Sequence, residues 1–135
     1  MRKCVRTDHW EAIMVDKREL ICIRCPVGCH ITAELEDGRV KSISGNSCPR
    51  GAEYAENEVT HPVRTVTSLV RLKGGEHPVV SVKTESDVPK EKMMDVVAAL
   101  KGIELTAPVR IGDVAAEDIA GTGVRVIVTS DSAAV

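Results

Sequence analysis

The sequence predicts an α+β protein: a small cysteine-rich β-hairpin lobe, then a region of short strands with one main helix. Three observations support this prediction. Apolar residues alternate on the first side of Asp37-Gly38, a pair typical of a two-residue hairpin turn. Four of the five cysteines lie between residues 22 and 48. Beyond residue 61, short apolar runs separated by glycine and proline surround one segment with helical periodicity.

The N-terminal residues 1–17 are polar and show no clear period, which predicts a flexible extension. Met14 offers an alternative start within it, and Cys4 is expected to be a free thiol. The remaining divisions are a cysteine-rich lobe, an α+β region that begins at His61-Pro62, and a loose tail. Their bounds are residues 18–60, 61–130 and 131–135.

In the lobe, the run "ELICIRC" predicts a strand over residues 19–25 that enters the cysteine loop. The segment "HITAELEDGRVKSIS" predicts a hairpin over about residues 30–43. Such a hairpin returns its far end, residues 44–48, to a position beside Cys29. One or two helical turns are expected in "PRGAEYAENEV".

In the second region, two strands are expected around Gly74-Gly75. A helix over about residues 88–101 follows, with start signals before it and Gly102 as its stop. Its apolar face includes Val96 and Leu100, and the Met93-Met94 pair is expected to fill the core. Further short strands follow, of which "VRVIVT" is the clearest.

Composition excludes several classes of function. The chain has 135 residues, with 18 basic and 20 acidic side chains distributed evenly along it. Only Trp10 and Tyr54 are aromatic, so the basic face and stacking aromatics of a nucleic-acid groove are both missing. No apolar stretch approaches the length of a membrane span or a secretory signal. The sequence therefore predicts a cytoplasmic protein that binds no nucleic acid and does not insert into a membrane.

The cysteines Cys22, Cys25, Cys29 and Cys48 form the pattern C-x2-C-x3-C-x18-C. Three thiolates from one loop and a fourth from a separate segment suit a cubane iron–sulfur cluster. Gly28 can adopt the positive φ that a compact loop needs. Arg24 and Arg50 each lie two residues from a ligand position and can offset the negative charge of such a centre. The sequence predicts a [4Fe–4S] cluster on these four cysteines.

Two alternatives remain at this point. Four-cysteine zinc sites usually pair two short Cys-x(2–4)-Cys knuckles, whereas the second half here offers one cysteine, with His30 or His61 as substitutes. A zinc-stabilised, non-enzymatic binding module is therefore the first alternative. The second is a thiol–disulfide protein using Cys22 and Cys25, although Pro26 and Gly28 disfavour the helix that such a site normally opens. No nucleophile motif such as G-x-S-x-G appears, so no catalytic residue is predicted.

The stretches "CIRCPVGC" and "SCPRG" resemble the N-terminal iron–sulfur segment of molybdopterin-dependent oxidoreductases. The resemblance implies a [4Fe–4S] cluster on the same four cysteines. It also maps the family's basic residue, between cluster and pterin, onto Arg50, with Gly51 after it. The chain ends well before the large domains that hold the pterin, and the interval from Cys29 to Cys48 is short for those enzymes. The resemblance therefore extends to the cluster-binding segment alone.

The stretch from about residue 19 to residue 130 is also similar to a small, uncharacterised prokaryotic family with paired CxxC-type cysteines. The shared segments include "CPVGCHI", "GNSCPRGAEYAENE", "HPVRTVTS" and "APVRIGDV". That family is described as a molybdopterin-oxidoreductase-like cluster-binding subunit. Its members often accompany a flavin-dependent dehydrogenase resembling the anaerobic glycerol-3-phosphate enzyme. The resemblance implies an electron-transfer subunit that partners a flavin-dependent oxidoreductase.

Overall fold

The computed structural model describes residues 15–135, and within this range it shows a small α+β fold, as predicted. Cys4, Trp10 and most of the expected N-terminal extension lie outside the described residues. Close contacts divide the chain into two compact units, the first ending at Thr60 and the second running from His61 to Val135.

The first unit is a three-stranded antiparallel sheet packed against one helix. The strands lie in the order β1-β2-β3, and the helix α1 packs on β2 and β3. Their bounds are β1 Val15–Ile21, β2 His30–Glu36, β3 Arg39–Ser44 and α1 Pro49–Thr60.

The predicted hairpin is confirmed, and its turn shows why this sequence makes it. Asp37 and Gly38 both have positive φ, of 51° and 75°, which is the backbone that a two-residue turn with the right twist requires. Glu36 pairs with Arg39 directly across the turn. On the inner face of β2, Ile31, Ala33 and Leu35 are buried.

Two predictions in this unit need correction. The first strand covers Val15–Ile21 instead of residues 19–25, because its register continues to the end of the hairpin, where Val15 pairs with Glu36. Residues 15–17 therefore belong to β1 and not to an extension. The helix α1 has 12 residues, about three turns, because Gly51 and Ala55 are buried against the sheet.

The second unit is built on a five-stranded sheet in the order β8-β5-β6-β10-β9. The pair β5-β6 is the antiparallel hairpin predicted around Gly74-Gly75, and β8 joins β5 in parallel. The strands of the unit are β4 Val63–Arg64, β5 Thr67–Lys73, β6 Val79–Thr84, β7 Val88–Pro89, β8 Glu104–Thr106, β9 Val114–Ala116 and β10 Val126–Val128.

One helix, α2 (Met93–Leu100), covers the buried face of this sheet. Its predicted face is confirmed, since Val96 and Leu100 are fully buried. The helix begins later than predicted, because Val88–Pro89 form β7 and a single 3-10 turn follows at Lys90–Lys92. Met93 packs on the core, but Met94 is 73% exposed, so the expectation that both methionines fill the core is wrong for Met94.

The C-terminal residues are bound to the second unit. Ser132 exchanges backbone hydrogen bonds with Val109 at 2.9 and 3.0 Å, and the Val135 amide donates to the Gly74 carbonyl at 2.9 Å. The expectation of a loose tail from residue 131 is therefore wrong. The small residues at the C-terminus gave no sign of these hydrogen bonds, because backbone groups and not side chains make them.

Candidate metal centre

The loop between β1 and β2 carries Cys22, Cys25 and Cys29. It closes at its base, where the Cys22 amide donates to the Cys29 carbonyl at 2.9 Å. Gly28 has a φ of 64°, as predicted for a residue that lets the chain wrap tightly. The loop contains a turn at residues 26–27 and no helix. The structure therefore lacks the helix start that a thioredoxin-type dithiol at Cys22 and Cys25 would use.

Cys48 reaches this loop through a close approach of two backbone segments at Gly45. A Cβ atom at Gly45 would lie 2.1 Å from the His30 carbonyl oxygen, and its φ of 90° is strained for any side chain. Only glycine therefore fits this position. The end of β3 lies directly against the residue that follows Cys29, which is how the hairpin returns the last predicted ligand to the loop.

Cys48 immediately precedes α1 and occupies the position of a helix N-cap. Pro49 takes the first helical position, where its fixed φ suits the helix. Hydrogen bonding from the Gly51 amide, the Arg50 amide and then the Arg50 guanidinium lowers the pKa of the Cys48 thiol. The Gly51 amide also donates to the Cys48 carbonyl at 3.1 Å. The sulfur thus stands where a serine or aspartate oxygen normally caps a helix. The positive charge of Arg50 adds to the same effect.

Gly51 has a packing role beside its contribution to Cys48. A Cβ atom there would lie 2.9 Å from the Cβ of Asn46 and 3.2 Å from the Cδ1 of Ile31. The start of α1 therefore lies against β2 and the Gly45–Ser47 turn. Arg50 therefore supplies a positive charge near Cys48, and the next residue, Gly51, allows α1 to pack closely on β2.

The Cys29 and Cys48 thiols lie close enough for the charge of Cys48 to affect the pKa of Cys29. The Cys29 sulfur lies 3.2 Å from the Ser47 hydroxyl oxygen. Hydrogen bonding from Ser47 lowers the pKa of Cys29, and it outweighs the opposing effects of partial burial and of the nearby Cys48 thiolate. The structure therefore brings together the last thiol of the loop and the remote fourth thiol.

The four thiols differ in exposure. Cys22 is buried in an apolar cluster with Ile31 and Ala55, against which Cys29 also packs. Cys25, Cys29 and Cys48 are partly exposed. All four are free thiols, so none is committed to a disulfide.

Within residues 15–135, no three cysteine, histidine or acidic side chains are already gathered at a spacing that would hold a metal ion. Cys48 lies close enough to Cys29 to affect its pKa. A backbone hydrogen bond joins Cys22 to Cys29. Cys25 lies on the loop that this bond closes. His30 begins β2 and is exposed, whereas His61 opens the second unit. In chemistry the donor set fits a thiolate-bound metal, since it offers four free thiols, two of them with lowered pKa.

Sequence reasoning missed three residues that shape this site. Ser47 bonds to the Cys29 sulfur, Gly45 allows the approach to His30, and the Asn46 side-chain amide donates to the Cys48 carbonyl at 3.0 Å. The signal was available, because Gly-Asn-Ser is a run of turn-forming residues immediately before Cys48. Its contacts depend on the hairpin register, which the run alone does not give.

Among the helices of residues 15–135, none has the length and apolar character needed to span a membrane.

Comparison with known proteins gives a family of unknown function. A family model described as "protein of unknown function (DUF1667)" matches residues 49–130, more than half of the chain. The match begins directly after Cys48, so the four cysteines lie outside it. No curated protein matches the chain. The NMR structure of Clostridium perfringens protein CPE0013, a structural genomics target, is similar at 28% identity with a TM-score of 0.49. The match covers 56% of this chain and 87% of that one.

Proposed function

This chain belongs to the DUF1667 family of proteins of unknown function, and we propose that it is a [4Fe–4S] cluster-binding electron-transfer subunit that partners a separate oxidoreductase. The observation that carries the proposal is the nearness of Cys48 to Cys29, the last thiol of the cysteine loop. The close backbone approach at Gly45 and the contact of Ser47 with the Cys29 sulfur support this arrangement.

The residues of the site prepare thiolates for a metal centre. Ligand thiols must lose their protons, and the lowered pKa of Cys29 and of Cys48 reduces the proton competition for both. The amides at the start of α1 and the Arg50 guanidinium offset the negative charge that four thiolates create. Cys22 itself is shielded from water, since it is buried against Ile31 and Ala55.

A bound [4Fe–4S] cluster supplies reversible one-electron transfer, at a potential set by charge, hydrogen bonds to sulfur and solvent exposure. Cys22, Cys25, Cys29 and Cys48 would hold it. The Ser47 hydroxyl and the amides of Arg50 and Gly51 would donate to its sulfur ligands. Arg50 would act as a charge neutraliser.

The partner in this proposal is a flavin-dependent dehydrogenase. Its support is the resemblance of "CPVGCHI" and "GNSCPRGAEYAENE" to cluster-binding subunits that accompany such enzymes. A subunit that accepts electrons from a flavin needs a redox centre near its surface and no catalytic residues of its own. The partial exposure of Cys25, Cys29 and Cys48 is consistent with that requirement.

The test is anaerobic purification followed by electron paramagnetic resonance before and after dithionite reduction, with iron, sulfide and zinc determined on the same sample. We expect a signal that appears on reduction and is lost when any one of the four cysteines is changed to serine. Cys4→Ser is the matched control and should retain the signal. Stoichiometric zinc without sulfide would favour a zinc-stabilised module instead. A disulfide between Cys22 and Cys25 without metal would favour thiol exchange.

A further inference from the structure

The cysteine loop exposes an unusual amount of apolar surface. Ile21, Ile23 and Val27 are 56%, 76% and 73% exposed. Within residues 15–60, they are three of the four large aliphatic side chains with high exposure, the other being Val15. Exposed apolar side chains that cluster together mark interaction sites more often than those scattered singly. Ile23 and Val27 lie on the loop that carries the thiols, and Ile21 is the strand residue directly before it.

The closure of the loop brings its two ends together. The bond from the Cys22 amide to the Cys29 carbonyl places the two ends of the loop side by side. A Cβ atom at Gly28 would lie 3.9 Å from Cγ2 of Ile21, so Ile21 lies against the arm that carries Val27. Ile21, Ile23, Arg24 and Val27 are all exposed and lie on or directly beside the loop that carries the thiols, and we call them the loop face.

The charge on this part of the chain has one sign. Residues 20–30 and 44–52 contain no carboxylate, and their arginines are Arg24 and Arg50. Arg50 lies at the start of α1, two residues after Cys48. Arg24 is exposed and forms no ion pair with any residue of the described range 15–135. Arg24 is therefore the charge that the loop face offers to a partner.

We propose that the loop face is the surface through which this protein exchanges electrons, and that it docks on a protein surface with an apolar centre flanked by carboxylates. The inference rests on the proposed function. Redox partners form small, transient interfaces in which an apolar centre supplies contact and charge supplies orientation and association rate. An apolar rim with one unpaired arginine, placed on the ligand loop itself, meets both requirements.

The test uses small oxidants in place of the unidentified partner. The dithionite-reduced protein, freed of excess reductant, is mixed with ferricyanide or with hexaammineruthenium(III), and its reoxidation is followed by stopped flow. One electron passes from the protein to one oxidant ion in each case. If electrons leave by the loop face, Arg24→Glu slows the reaction with the anion and speeds the reaction with the cation. The ratio of the two rates should fall by about tenfold at low salt, with a smaller change at high salt.

The matched control is Arg39→Glu, which makes the same charge change at the turn end of the first unit's sheet, opposite the cysteine loop, and should leave the ratio unchanged. An unchanged ratio in Arg24→Glu, or an equal change in Arg39→Glu, would overturn the inference. If the protein shows no reducible centre, the proposed function itself is contradicted, and this is seen before any rate is measured.

A second measurement separates a partner protein from a second copy of this chain. We expect sedimentation equilibrium to give a monomer for the cluster-loaded wild type and for Ile23→Ser/Val27→Ser. If the wild type is a dimer and the double variant is a monomer, the loop face serves self-association, and the proposal is overturned. Because both side chains are exposed, the double variant leaves the apolar cluster of the first unit intact.

Discussion

At the scale of the residue, the candidate site depends on a few positions whose chemistry cannot be exchanged. Gly45 fits where any side chain would collide with the His30 carbonyl, and Cys48 occupies a helix N-cap in place of an oxygen. Ser47, which directly precedes Cys48, contacts the Cys29 sulfur through its hydroxyl. These residues bring the fourth thiol to the loop and favour its deprotonated state.

The substitution Gly45→Ala tests the approach of the two backbone segments. The new Cβ would meet the His30 carbonyl at 2.1 Å in a strained conformation, so we expect a loss of roughly 2–4 kcal/mol in the stability of the first unit. Native-state hydrogen exchange at the β2 amides measures it. Gly38→Ala is the control, because it adds backbone strain at a φ of 75° with no atom within 4 Å, and should cost only about 1–2 kcal/mol. Equal losses in the two variants would contradict the role given to Gly45.

The thiol of Cys48 should show a pH dependence that reflects its surroundings. Helix amides and Arg50 hold the pKa of this thiol below its ordinary value, so its thiolate persists to lower pH. In the metal-free protein, alkylation of Cys48 by iodoacetamide, followed by mass spectrometry, should therefore have a midpoint below that of an ordinary thiol. Arg50→Gln should raise the midpoint partway, since the Gly51 amide remains, and Arg39→Gln should not move it. A wild-type midpoint at the ordinary value would refute this description of the N-cap.

At the scale of the element, each unit has an apolar cluster of its own, made almost entirely of aliphatic side chains. In the second unit, Val96 and Leu100 of α2 pack on strands whose inward positions are valine and leucine. In the first unit, Ile31 and Ala55 pack around Cys22. The cysteine loop is therefore anchored to the first unit by one of its own cysteines, Cys22.

The helix α2 offers a matched pair of substitutions. Leu100 is 1% exposed, so Leu100→Ala should cost about 2–4 kcal/mol through lost burial and a residual cavity. Met94 projects outward from the same helix, so Met94→Ala should change stability by no more than about 0.5 kcal/mol. Urea unfolding followed by circular dichroism compares the two. A loss at Met94 as large as that at Leu100 would contradict the assigned helix face.

At the scale of the whole molecule, sequence reasoning succeeded where a local pattern and the fold demand the same backbone. Asp37-Gly38 specified the hairpin, and Val96 and Leu100 specified the face of α2. The predictions failed where backbone contacts between distant residues determine the structure. The start of β1 is one case, because β1 extends as far as β2 continues opposite it. The C-terminus is the other, because its backbone pairs with Val109 and Gly74. The predicted hairpin indicated that residues 44–48 return to the loop, but the contacts of Ser47 and Gly45 depend on the exact hairpin register, which the sequence pattern does not give.

The central claim is that Cys22, Cys25, Cys29 and Cys48 together hold one cubane cluster. The most direct measurement is the number of iron and acid-labile sulfide ions per chain in anaerobically purified protein. We predict about four of each per chain in the wild type, and loss of both ions when Cys48 is changed to serine. One zinc ion per chain with no sulfide, in protein produced by cells with intact cluster assembly, would contradict the claim.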